Sequence, residues 1–97
     1  MFAVVNHLHL TVPVEQIREA TEREGLSVLK SQPGFQGLNL VKVAEDQLIV
    51  ILFWDSAAQA DQGAKVFGPT WFAKHIAPYL AQAQQRSAGD VVLHYAA

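Results

Sequence analysis

The sequence contains no cysteine, little charge and no long apolar run, and each absence removes a class of protein. Without cysteine, its 97 residues can form no disulfide, thiolate nucleophile or thiolate metal site. Charged residues make up 16% of the chain and the net charge is −2, with no basic cluster, so we expect no binding to nucleic acid. No apolar run has membrane-spanning length, and residues 1–7 lack the features of a signal peptide. The sequence therefore predicts a cytoplasmic protein without a membrane partner.

Apolar residues, in contrast, are abundant for so short a chain. They make up 51% of the sequence. Residues 1–97 are enough for a single domain and too few for two, and a domain of this size buries only a limited part of its surface. We therefore expect a second copy of the chain to bury some of these side chains, which predicts a homodimer.

The spacing of apolar residues predicts four strands and two helical regions. Alternation of apolar side chains marks the strands, and a period close to 3.6 residues marks the helices. Pro-Gly and Gly-Pro pairs separate several of these elements. The predicted elements are a strand over residues 2–12, a helix over 14–31, a hairpin of strands over 35–44 and 47–54, a helix to about 67, a further helical segment over 70–85, and a strand over 91–96.

This β-α-β-β-α-β order predicts an α+β, ferredoxin-like fold. Right-handed crossovers then give a four-stranded antiparallel sheet with both helices on one face. The first and third strands lie in the middle, and the last strand lies beside the first. The other face of the sheet carries apolar side chains such as Val5 and needs a cover, which again favours a second copy.

Asn6 is the most informative residue of the first strand. It shares its parity with Phe2, Val4, Leu8 and Leu10, so we expect its side chain on the face that packs against the helices. A buried amide costs free energy unless it is hydrogen-bonded. Asn6 therefore either satisfies a helix end or loop, or points as a donor into a pocket between sheet and helices.

The last helical segment carries a histidine within an aromatic stripe. Trp71, His75 and Tyr79 are spaced four residues apart, with Phe72 beside them. These side chains either pack in the core or line one cavity with Asn6, where His75 could exchange a proton near neutral pH. The second interpretation makes Asn6 and His75 candidate catalytic residues, and Trp71, Phe72 and Tyr79 candidate contacts of a small apolar or aromatic ligand.

Three further histidines could in principle meet on adjacent strands. His7 and His9 share one face of the first strand, and His94 lies in the predicted last strand. Three imidazoles can bind zinc, but no carboxylate shares their face in the first strand. We therefore expect these side chains to lie at an interface and predict no metal site. Phosphate-binding loops, nucleophile elbows and paired-carboxylate motifs are absent.

Several motifs together resemble the antibiotic-biosynthesis-monooxygenase-like family of the dimeric α/β-barrel superfamily. They are Asn6 in the first strand, the stretch from Gln32 to Gly37 (Gln-Pro-Gly-Phe-Gln-Gly) that opens the second strand, and the stretch from Phe53 to Ser56 (Phe-Trp-Asp-Ser) that leads into the second helix. The resemblance covers nearly the whole chain. It implies a dimer whose two sheets close into a barrel, and oxidation of phenolic, quinol or polyketide substrates without metal or flavin.

A haem-degrading branch of the same superfamily uses an asparagine in the first strand, a tryptophan in the second helix and a later histidine. Asn6 matches the asparagine, and His75 is the candidate for the histidine. The tryptophan position, counted from Trp54, falls at Gly63. The resemblance thus leaves three functional hypotheses, namely a cofactor-independent monooxygenase, a haem-binding monooxygenase and a non-catalytic dimeric binding protein.

Overall fold

The computed structural model, which describes residues 1–97, contains a four-stranded antiparallel sheet with helices on one face. The strands are β1 (Phe2–His9), β2 (Phe35–Ala44), β3 (Gln47–Trp54) and β4 (Gln85–Asp90). Their order across the sheet is β2-β3-β1-β4, with every neighbouring pair antiparallel. The predicted α+β, ferredoxin-like fold is confirmed, with β1 and β3 in the middle and β4 beside β1.

Two helical segments cover this sheet, and each contains one turn of π-helix. The first helical segment spans residues 14–30 and consists of α1 (Val14–Ala20), the π-turn Thr21–Gly25 and α2 (Leu26–Lys30). The second helical segment spans residues 57–75 and consists of α3 (Ala57–Phe67), the π-turn Gly68–Phe72 and α4 (Ala73–His75). No helix combines the length and the apolar character that crossing a membrane requires.

The hairpin and the helix starts were predicted correctly because their signals are local. Gly34 has a φ of 83°, which suits glycine, and its carbonyl accepts a hydrogen bond from the Asp55 amide at 2.8 Å. The Ser56 hydroxyl accepts from the amide of Gln59 at 3.2 Å and caps α3. The Glu45 carbonyl in the hairpin turn accepts from the Val14 amide at 2.8 Å, so the turn satisfies the first amide of α1.

The core lies between the sheet and the helices, in two adjoining clusters. Val4, Leu8 and Leu10 are buried on the helix-facing side, as their alternation predicts. One cluster joins Leu8 and Leu10 to Ile17, Leu48, Trp71 and Ile76, and the other joins Val4 to Leu29, Trp54 and Ala60. Each large apolar residue buried in this way contributes roughly 1.5–3 kcal/mol to the free energy of unfolding.

The prediction of a helix over residues 70–85 is wrong in its second half. The α-helix ends at His75, a 3₁₀ turn follows at Ala77–Tyr79, and Leu80 has extended backbone. Proline carries no amide hydrogen and its ring crowds the preceding turn, so Pro78 prevents the α-helix from continuing. Residues 80–81 instead pair with β1, since the Ala81 amide donates to the His9 carbonyl at 2.7 Å.

The predicted last strand, over residues 91–96, is also misplaced. The strand is Gln85–Asp90, a polar and exposed stretch that the sequence indicated as the end of a helix and a loop. Its register pairs Phe2 with Asp90, and the Val91 amide donates to the Met1 carbonyl at 2.9 Å. Residues 92–97 belong to no strand or helix despite their apolar alternation. Val92, Leu93 and Tyr95 are each at least 85% exposed.

Candidate functional site

A mostly apolar cavity of about 250 Å³ lies between the sheet and the two helical segments. Its floor comes from all four strands, and its roof comes from both helical segments. Floor residues include Val4, Asn6, Leu40, Val50, Leu52 and Arg86, and roof residues include Ile17, Thr21, Ala64, Phe67, Phe72 and Ile76. An apolar lining with a few polar groups is the usual form of a small-molecule site.

Asn6 points into this cavity, as the parity of β1 predicts. It lies in the middle of the sheet, paired with Val50 of β3 on one side and with Arg86 of β4 on the other. Its Oδ1 atom is buried and has no hydrogen-bond partner in the protomer. Buried polar atoms are nearly always satisfied, so a buried acceptor that faces a cavity indicates that a ligand or water completes it. The alternative of an amide that satisfies a helix end or loop is therefore not favoured.

Phe72 and Trp71, neighbours in the chain, have different surroundings. Phe72 lines the cavity, while Trp71 is 4% exposed and packs against the first helical segment. A Cβ atom built on Gly25 would lie 2.9 Å from Cη2 and Cζ3 of the Trp71 indole. The indole Nε1 points toward Oε2 of Glu24, at 3.4 Å. Trp71 is therefore a contact between the helical segments and not a wall of the cavity.

His75 and Tyr79 also lie outside the cavity. The His75 ring stacks on Trp71, with centroids 4.9 Å apart, and its Nε2 lies 3.7 Å from Oε2 of Glu24. Both residues line a hollow on the outer surface, among polar side chains of α1 and α4. The structure thus brings together Asn6 and Phe72, and it corrects the prediction of one cavity shared by Asn6, Trp71 and His75. Trp71 and His75 do share one face of the helix, but the neighbouring stripe of Phe72 and Ile76 is the one that faces the cavity.

Two polar residues at the cavity were not predicted from the sequence. Arg86 lies in β4 and Gln84 directly precedes that strand, and both line the cavity. Arg86 is exposed and has no ion-pair partner among the carboxylates of the protomer. The stretch carries no β-strand signal, so only the register against β1 reveals that Arg86 faces the same side as Asn6.

The other histidines do not form a metal site in the protomer. His7 and His9 stack on the outer face of β1, with ring centroids 4.7 Å apart, and Nε2 of His7 is buried without a partner. His94 lies beyond β4 rather than on a strand beside them, which corrects its predicted position. No group of three or more His, Cys, Asp or Glu side chains is arranged to hold a metal ion.

The cavity does not fit haem. None of its lining residues is a histidine, cysteine, methionine or tyrosine, so it offers no axial ligand. At Gly63, where the haem-degrading branch has a tryptophan, the Trp54 indole lies so close that a Cβ would overlap it. Trp54 of β3 thus fills the space beside α3 that a tryptophan at residue 63 would need.

No family model matches the sequence, and no curated protein matches it either. Solved structures with the same fold are nevertheless similar over nearly their whole length. SnoaB, a cofactor-independent oxygenase from Streptomyces nogalater, superposes with a TM-score of 0.80 at 13% identity, over 96% of this chain and 94% of that one.

Two other structures show how far this likeness reaches. A variant of MhuD, with two manganese protoporphyrin IX molecules bound per active site, has a TM-score of 0.76 at 19% identity and full coverage of both chains. A protein of unknown function from Nitrosomonas europaea, NE2512, also reaches 0.76, at 10% identity, over 99% of this chain and 93% of its own. The resemblance to monooxygenase-like proteins is thereby confirmed at the level of the fold.

Proposed function

We propose that this protein is a cofactor-independent monooxygenase that oxidises a small aromatic, quinol or polyketide-like substrate in the cavity. The observation that carries the proposal is the buried, unpartnered Oδ1 of Asn6 in an otherwise apolar pocket. The likeness of the fold to a cofactor-independent oxygenase supports the same reaction class. The volume of about 250 Å³ suits a substrate of two or three fused rings.

Asn6 is the candidate catalytic residue, because its amide carries an acceptor and a donor side by side. Oδ1 accepts a hydrogen bond from a substrate hydroxyl, and Nδ2 donates to an oxygen on which negative charge develops. A donor positioned for such an oxyanion lowers the barrier by about 3 kcal/mol. Phe72 and the aliphatic floor hold the ring and exclude water, which strengthens these polar contacts.

The chemistry requires an electron-rich substrate rather than a protein-bound oxidant. The ionised ring transfers electrons to dioxygen and forms a carbon–oxygen bond with it. Cleavage of the oxygen–oxygen bond then leaves one atom on carbon, and the other departs as water with two hydrogens of the substrate. These are both methylene hydrogens of an anthrone, or one ring C–H and one phenolic O–H hydrogen of a naphthalene diol. The substrate gains a carbonyl and O₂ also yields H₂O, so that atoms and electrons balance without flavin or metal.

The working form in this proposal is a cytoplasmic homodimer, with the outer faces of the two sheets packed together. The outer face of the sheet carries apolar side chains that alternate with the cavity-lining residues and have no layer above them in the protomer. They are Val5, Ile49, Ile51 and Phe53. An apolar face of this kind is normally covered by a partner.

A non-catalytic binding protein is the second candidate, and a specific feature favours it. No side chain in the cavity lining can act as a general base, since the lining contains no histidine, carboxylate or lysine. A protein that only stores or carries an aromatic molecule needs no base. Turnover therefore distinguishes the two candidates, and binding alone does not.

The test is oxygen consumption with a panel of anthrones and naphthalene diols, each corrected for autoxidation. We expect the protein to accelerate oxidation of at least one compound, and Asn6→Ala to lower that turnover by about 10²–10³-fold. Gln62→Ala, on the exposed side of α3, is the control and should retain full turnover. Unchanged turnover in Asn6→Ala would disprove the assigned role. Binding of the panel without any oxygen uptake would favour the binding protein.

A further inference from the structure

Arg86 is the only charged residue in the cavity lining. The remaining polar residues there are Asn6, Thr21 and Gln84. The Thr21 hydroxyl is already used, since it donates to the Ile17 carbonyl at 2.8 Å. The lining therefore combines an aliphatic and aromatic interior with one guanidinium group.

The position of Arg86 directs this charge toward the ligand. It lies directly opposite Asn6 in the register of β4 and β1, on the same face of the sheet. Opposed side chains in an antiparallel pair lie about 4.5–5.5 Å apart at their Cβ atoms. Arg86 is exposed while Oδ1 of Asn6 is buried, so Arg86 lies nearer to solvent than the amide oxygen does. No carboxylate of the protomer neutralises the guanidinium.

The cavity lining contains a cation but no base, and this affects the protonation of the ligand. Guanidinium stays protonated at all relevant pH values, and neither amide nor threonine removes a proton near neutrality. A ligand that binds in ionised form must therefore lose its proton to solvent, before or during entry. A guanidinium favours that loss, because it forms strong, often bidentate hydrogen bonds with anionic oxygens.

We propose that the cavity selects small planar aromatic anions, namely carboxylates and acidic phenols or enols that ionise near neutral pH. The charged oxygen binds Arg86 at the opening, and the rings lie inward beside Asn6 and Phe72. This inference rests on the proposed function in taking the cavity as the ligand site. It goes further by assigning the charge of the ligand and a specificity-determining residue.

Two probes of equal shape and different charge test this selection. 2-Naphthoate carries a carboxylate, and 2-naphthamide carries a neutral amide on the same ring. Both are titrated into the full chain at low ionic strength, with naphthalene fluorescence as the readout. We expect the wild type to bind naphthoate about tenfold more tightly than naphthamide, a difference typical of one partly exposed charge-assisted hydrogen bond.

Arg86→Gln removes the charge and keeps a polar side chain of similar reach. We expect it to abolish the preference for naphthoate while leaving the affinity for naphthamide within about twofold. Arg23→Gln is the matched control, because Arg23 is an exposed arginine on the outer side of the first helical segment and does not line the cavity. It should keep the wild-type preference. Added salt should weaken naphthoate binding selectively.

The outcomes separate the two proposals. Equal affinities for both probes in the wild type, or a preference that survives Arg86→Gln, would overturn the anion selection and leave the cavity as a ligand site. An equal loss of both probes in Arg86→Gln would also overturn it, since a contact specific for charge does not explain weaker amide binding. Failure of both probes to bind the wild type would contradict the cavity as a site, and with it the proposed function.

Discussion

Gly25 and Trp71 fit against each other where the two helical segments meet. A Cβ atom at residue 25 would lie 2.9 Å from two carbons of the indole, a separation that real Cβ atoms do not tolerate. In the sequence, this glycine weakens a predicted helix. In the structure, the missing side chain lets a large aromatic ring pack directly on the backbone of the π-turn Thr21–Gly25.

Gly25→Ala should therefore destabilise the protein, although alanine is the better helix former. Overpacking costs about 1–3 kcal/mol, and the gain in helix propensity of about 1 kcal/mol offsets only part of it. We expect the free energy of unfolding to fall by roughly 1 kcal/mol in urea titrations. Gly68→Ala is the matched control, because a Cβ there meets nothing within 4 Å, and it should be neutral or stabilising. Equal behaviour of the two variants would contradict the packing.

Gly63→Ala should be more damaging than Gly25→Ala. Its Cβ would overlap the Trp54 indole more closely, and Trp54 is 2% exposed and packed in the core. We expect a loss of about 2–3 kcal/mol in the same titration. Trp54→Phe introduced into Gly63→Ala should recover part of that loss, because the smaller ring leaves room for the methyl group. No recovery would show that the glycine serves another purpose.

A charge on the outer sheet face should break the proposed homodimer. Ile51 lies in the middle of that face, paired with Val5 and Asn39. Ile51→Asp would bury an unpaired carboxylate in the interface, which costs several kcal/mol. Sedimentation at micromolar concentration should show a dimer for the wild type and a monomer for Ile51→Asp. Val66→Asp, an exposed apolar site on α3, is the control and should remain dimeric. A monomeric wild type would rule out the barrel.

A hemin titration tests the haem-binding alternative that the resemblance leaves open. We expect no saturable Soret shift at one hemin per protomer, because His75 lies on the outer surface and the cavity offers no axial ligand. His75→Ala should leave both the hemin spectrum and aromatic turnover unchanged. A stoichiometric shift that His75→Ala removes would mean that the helix after Gly68 rearranges around the ligand.

Local signals allowed most of the fold to be predicted from the sequence. The Pro33-Gly34 turn, the continuous apolar run of β3 and the Ser56 cap each fix an element through its own residues. The same holds for Asn6, whose face follows from the alternation of β1.

The parts of the fold and site that were not predicted depend on contacts between segments distant in the sequence. β4 is set by hydrogen bonds to β1 rather than by its own polar residues, so neither its register nor Arg86 was predictable. The placement of His75 depends on which of two adjacent stripes of the helix faces the cavity, Trp71 with His75 or Phe72 with Ile76, and both stripes carry large apolar side chains. A shift of one residue turns a helical side chain by about 100°, enough to move a histidine from cavity to surface.

The pairing of Phe2 with Asp90 has a practical consequence for handling the protein. The last rung joins Met1 to Val91, so residues placed ahead of Met1 would continue β1 alongside residues 92–97. A purification tag fused ahead of Met1 would therefore lie beside this apolar tail and offer it backbone hydrogen-bond partners. A cleavable tag should be removed before sedimentation or ligand titration, so that tag residues make no contact with residues 92–97.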